Sequence, residues 1–177
     1  SACWGASCMH VEDAWNVVGP LATTLVAVLD TGIDIDADGL ATRIEDSIAL
    51  VDTPGARDGY GHGTHVAGTI ASIAMNCKLL NVKVADDRGC CESRCVAEGI
   101  RLAANRGAAV INLSLEVAPS PELEAAITYA WDRGALKVAA AGMPEASLPD
   151  NSTRRDVSLE NDEALNPGSS PLVYPAC

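Results

Sequence analysis

The sequence predicts an α/β chain built on a parallel, doubly wound sheet with helices on both faces. Three observations predict it. The continuous apolar run Leu25-Val26-Ala27-Val28-Leu29 halts at Asp30-Thr31-Gly32, as a strand buried on both faces does. From Leu79 onward, short apolar runs alternate with segments of helical period, the signature of parallel strands joined by crossover helices. The 177 residues contain no phenylalanine, so Val, Leu, Ile and Ala must fill the core, which suits closely packed strands and helices.

The elements are expected in this order. Residues 1–22 read as an arm carrying a short helix over Val11–Val17. Leu25–Leu29 is the first strand. A loop rich in Asp, Gly and Pro runs from Asp34 to Gly61. His62-Gly63-Thr64-His65-Val66-Ala67-Gly68-Thr69-Ile70-Ala71 follows, and its small residues allow a helix lying very close to the sheet. Leu79–Val84 is a strand, Cys95–Asn105 a helix ended by Gly107, and Ala109–Leu115 another strand. Pro121–Arg133 carries full helix punctuation: Ser120 at the cap, Pro121 at the first position and Gly134 just past the end. Its apolar face is Leu123, Ala126, Ile127 and Ala130. Leu136–Ala141 is a further strand. Residues 144–173 form a long polar loop rich in Pro, Ser and Asn, within a single domain that spans 1–177.

Net charge is −12 with no run of Lys or Arg, which argues against nucleic acid or an anionic membrane as partner. No apolar stretch is long enough to cross a bilayer, and the start at Ser1 has no signal-peptide pattern, as expected of a processed form. Seven cysteines are present: Cys3, Cys8, Cys77, Cys90, Cys91, Cys95 and Cys177. Without a CxxC pair, a zinc site is disfavoured. Disulfides in an extracellular or other oxidising compartment are the expectation, with Cys177 as the odd thiol available to bond a second polypeptide.

Chemistry concentrates at two places. Ligands and catalysis in open parallel sheets sit at the C-terminal ends of strands, where Asp30 falls. A carboxylate there either orients a base or caps a helix. His62 stands between Gly61 and Gly63 at a helix start, which leaves its ring accessible. His65, inside the same helix, reads as a packing residue, and His10 as a surface one. Asp34, Asp36 and Asp38 read as an exposed acidic loop, with cation binding as the other possibility.

The segments Val28-Leu29-Asp30-Thr31-Gly32-Ile33-Asp34 and Gly61-His62-Gly63-Thr64-His65-Val66-Ala67-Gly68 resemble the aspartate and histidine signatures of the subtilase family, the subtilisin-like serine peptidases. Further likenesses support this. Leu79–Val84 is similar to the family strand after the histidine helix, and Val110–Leu115 to the strand whose edge pairs with substrate. Val138–Gly142 resembles the strand that leads to the oxyanion asparagine, and Tyr174-Pro175-Ala176 the flank of the specificity pocket. The resemblance implies a subtilisin-like fold, incomplete at its C-terminal side, and a serine endopeptidase acting on peptide or protein. In it Asp30 and His62 are catalytic, while Ser114, Leu115 and Glu116 bind substrate backbone to backbone.

Departures from the family pattern are specific. No Gly-Thr-Ser-Met-Ala type motif occurs in the 177 residues, so the nucleophilic serine is expected outside them. Met143 stands at the oxyanion position and offers no hydrogen-bond donor. Glu116 replaces a preferred glycine. The stretch Ser72–Lys78 is too short for the family's usual calcium loop, so no cofactor is expected. Two other readings stay open: a catalytically inactive domain used for binding or structure, and a cysteine nucleophile paired with His62.

Overall fold

The computed structural model describes residues 4–18, 23–37 and 39–141. In chain order the elements are α1 (Trp4–Cys8), α2 (Val11–Val18), β1 (Thr24–Asp30), β2 (Ile44–Ala49), α3 (His62–Ile73), β3 (Cys77–Lys83), α4 (Ser93–Asn105), β4 (Val110–Leu113), α5 (Pro121–Asp132) and β5 (Leu136–Ala139). All five strands pair in parallel, in the order β2-β3-β1-β4-β5. The doubly wound α/β expectation therefore holds, and β1 lies at the centre.

Side-chain alternation along β1 divides the core in two. Ala27 and Leu29, with Leu80, Val82, Ile111 and Leu113, face α4 and α5. Val26, Val28 and Leu79 face α3 through Ala67. Each fully buried aliphatic side chain of this kind contributes about 1.5–3 kcal/mol. With no phenylalanine in the chain and no aromatic residue among the fully buried ones, close approach replaces size. Gly99 of α4 shows this: a Cβ there would lie 2.9 Å from Val84 Cγ1 and 3.0 Å from Leu29 Cδ2.

The punctuation of α5 is as the sequence indicates. Ser120 Oγ accepts from the Leu123 N–H at 3.2 Å, and Gly134 leaves the helix with φ +80°. Trp15 of α2 donates from Nε1 to the Ile73 carbonyl at 2.8 Å, which fixes the N-terminal arm to the end of α3.

The sequence reading missed β2, because Ile44-Glu45-Asp46-Ser47-Ile48-Ala49 carries three polar residues in six. As an edge strand that is only half-buried, it needs no apolar run. It pairs with β3 across a register shift between Ile44 and Asp46. The arm also holds the short α1, β3 begins two residues earlier than expected, and β4 and β5 are shorter. No helix among the described residues is long and apolar enough to cross a membrane. The loop 144–173, Met143, Tyr174–Ala176 and Cys177 lie outside the described residues.

Candidate active site

Asp30 ends the central strand at the point where chain order reverses: β3 lies on one side of β1 and β4 on the other. Asp30 as a whole is 1% exposed. Oδ1 accepts from the Thr31 backbone N–H at 2.7 Å and from His62 Nδ1 at 2.8 Å. Oδ2 is buried and has no partner among the described residues. Burial pushes the Asp30 carboxyl above the ordinary value, against the opposing pull of His62 and of the Thr31 N–H.

His62 is the first residue of α3 and keeps 35% of its side chain exposed. A carboxylate acceptor at Nδ1 places the ring proton there, so the lone pair on Nε2 is available to take a proton. Two glycines make the approach possible. A Cβ on Gly63 would lie 2.2 Å from the Gly32 carbonyl oxygen and 3.0 Å from Asp30 Cβ. Gly32 has φ +105°, and a Cβ there would meet the Ala56 carbonyl oxygen at 2.5 Å.

A second carboxylate, which the sequence reading did not single out, holds the two motifs together. Asp58 Oδ1 accepts from Thr31 Oγ1 (2.9 Å) and from the N–H groups of Tyr60 (3.0 Å) and Gly61 (2.7 Å). Its Oδ2 accepts from the Thr64 N–H (2.9 Å) and the Thr64 hydroxyl (2.5 Å). Thr31 Oγ1 in turn accepts from the Gly63 N–H at 3.0 Å, and Thr64 Oγ1 from the Asp34 N–H at 2.9 Å. Asp58 thus caps α3 from outside the helix and ties it to the residue after Asp30. Burial opposes its charge, but these donors outweigh it, and the Asp58 carboxyl sits below the ordinary value. The available signal was an acidic residue just ahead of a helix start.

The other expected site residues lie as follows. Ser114 continues from β4, whose Leu113 pairs with Leu29, so it stands level with Asp30. Its Oγ accepts from Asn112 Nδ2 at 3.0 Å. Leu115 is buried in the α4/α5 core, and Glu116 is exposed. The Glu116 carbonyl accepts a bond from the Cys91 thiol at 3.2 Å. His65 is exposed on α3, so its expected packing role is corrected: it lies on the helix face away from the sheet. His10 is exposed as expected, beside Asp13 at 3.0 Å. Arg57 bridges Asp34 (3.0 Å) and Asp36 (2.8 Å), supplying a cation from within the chain.

Four of the cysteines depart from expectation, while Cys90 is disulfide-bonded. Cys8, Cys77, Cys91 and Cys95 are free thiols, so the pairing inferred from the count finds no support at these four. Cys91 does not suit the role of nucleophile. Burial, then the charges of Asp30 and its other acidic neighbours, push its thiol up to about 11, whereas a reactive cysteine needs a depressed value.

The chain is similar to known proteins in sequence and in fold. The family model described as "Subtilase family" matches residues 22–166. Subtilisin BL of Lederbergia lenta is 41% identical over 157 residues, covering 81% of this chain and 56% of that protein. Thermitase of Thermoactinomyces vulgaris is 32% identical over 158 residues, covering 82% and 56%. Among solved structures, Sphericase superposes with a TM-score of 0.60 at 28% identity, covering 75% of this chain and 51% of that one. The chain spans about half the length of these relatives.

Proposed function

The chain belongs to the subtilase family, and on that premise we propose that it is the aspartate- and histidine-bearing part of a serine endopeptidase whose nucleophilic serine lies outside these 177 residues. The observation that carries the reading is the 2.8 Å bond from His62 Nδ1 to Asp30 Oδ1 at the C-terminal end of the central strand. Nε2 of His62 takes the proton from the serine hydroxyl as that oxygen attacks a peptide carbonyl. The same nitrogen then returns the proton to the leaving amine. Asp30 holds the tautomer and stabilises the imidazolium. The chemistry calls for no metal or other cofactor.

Substrate runs along Ser114-Leu115-Glu116, beside the dyad, as an added strand. With the Leu115 side chain in the core and the Glu116 carbonyl engaged by Cys91, recognition there falls to the remaining backbone groups and to the exposed Glu116 side chain. Met143 at the oxyanion position costs turnover; in subtilisin, losing that donor costs about 10²–10³. The serine comes from the rest of the same polypeptide or from a second one, which Cys177 would link. An extracellular setting accompanies the reading; it rests on family membership and not on the four free thiols.

Fluorophosphonate labelling of the protein, followed by reducing and non-reducing gels with intact mass, tests this. A label that depends on His62 and maps beyond these 177 residues is the expected result. A label on a serine within them overturns the location of the nucleophile. No label in any form of the protein favours the inactive, binding-domain reading, for which Met143 is the supporting observation.

A further inference from the structure

Lys83 ends β3 directly beside Asp30, its Cα partner in the strand pairing. Its side chain is 0% exposed. A lysine buried to this degree is rare and needs partners for its charge. Nζ donates to the Thr31 carbonyl oxygen and, at 2.7 Å, to Asp87 Oδ1. The Asp87 carboxylate lies close against Gly59, where a Cβ would be 2.5 Å from Asp87 Cγ. Gly59 sits between Asp58 and Tyr60, in the turn whose bonds place His62.

One ammonium group therefore acts on both halves of the dyad. It binds the residue after Asp30 directly and reaches the turn before His62 through Asp87. The proton transfers assigned above make no use of it, and it is shut off from solvent. Asp58 joins the same two segments through side-chain and backbone N–H groups, whereas Lys83 holds a backbone carbonyl that Asp58 leaves free.

We infer that Lys83, clamped by Asp87, is a positioning residue that sets the alignment of Asp30 with His62; the inference rests on the dyad reading above. Removing the ammonium leaves the Thr31 carbonyl without its donor and lets the Gly59 turn shift relative to β1. Asp87 is 52% exposed on its side chain, so its replacement can be made without opening the core.

The test is proton NMR of the full protein, following the low-field resonance of the imidazole Nδ1–H bound to a carboxylate. The reference variant is D30N, which should remove the signal. K83M keeps the aliphatic stem without the donor, and D87A removes the clamp from the exposed side. In both, the resonance should fall several-fold in intensity through faster exchange with solvent, while the circular dichroism stays that of the folded chain. D87E, which keeps the charge, should recover part of it. Loss in D30N together with an unchanged resonance in folded D87A and K83M overturns the role of Lys83 alone. A resonance that survives D30N overturns the dyad, and this inference with it.

Discussion

Two carboxylates 28 positions apart in sequence carry opposite electrostatic loads. Asp30 is raised by burial, so folding favours its protonated form. Stability from this group is lost as pH rises from the ordinary 3.8 through the raised value, and the cost is fully in place at neutral pH. D30N should therefore unfold at a higher temperature than the native chain at pH 7. The difference should disappear below pH 3.8 in thermal unfolding followed across pH. Asp58 is lowered, so its contribution is present above the ordinary 3.8 and lost as pH falls through the lowered value. Replacing it by Ala leaves the donors at Thr31, Gly61 and Thr64 unpaired and should cost about 1–3 kcal/mol near neutrality, read from denaturant midpoints. The loss should shrink in acid. Both residues are equally plain in the sequence, but only Asp30 stood out there, because its strand and the Thr-Gly after it form a recognisable unit. The role of Asp58 depends on five donors gathered by folding.

At the scale of the element, α3 shows how unequal its glycines are. Gly63 lies against the Asp30 turn, whereas a Cβ on Gly68 meets nothing within 4 Å. G63A should displace the helix from β1 and cost about 1–3 kcal/mol or more, with loss of the His62–Asp30 bond. G68A should stabilise the helix by up to about 1 kcal/mol. Thermal unfolding of the pair checks both signs, and a similar effect of the two would contradict the close-approach account. In α5, S120A removes the bond to the Leu123 N–H and should cost about 1 kcal/mol. These helices were legible because caps and periodicity are local. β2 was not, since Ile44–Ala49 becomes a strand only by pairing with β3.

At the scale of the whole sheet, the face that carries α3 is left uncovered across β4 and β5 by the described residues. Leu136 pairs with Val110, and Val138 with Asn112, which puts both side chains on that face, 52% and 46% exposed. Apolar surface of this kind beside Asp30 and His62 is suited to packing against further structure. Changing Leu136 and Val138 to Thr should reduce binding of a hydrophobic dye by the 177-residue chain without altering its circular dichroism. It should also weaken fluorophosphonate labelling of the complete protein. Unchanged dye binding would mean that the face is already covered. The sequence by itself determined the fold class, the order of most elements and the two motifs that bring Asp30 and His62 to one end of the sheet. Strand runs, caps and glycine spacing are local, and a parallel sheet aligns its strand ends. Tertiary structure alone decided that Asp58 joins those motifs, that Lys83 bonds the Thr31 carbonyl and Asp87, that burial raises the Cys91 thiol, that Arg57 answers Asp34 and Asp36, and that β2 exists. Each of these depends on groups distant in sequence meeting at hydrogen-bond distance or in a shared low-dielectric interior, and no spacing rule encodes that.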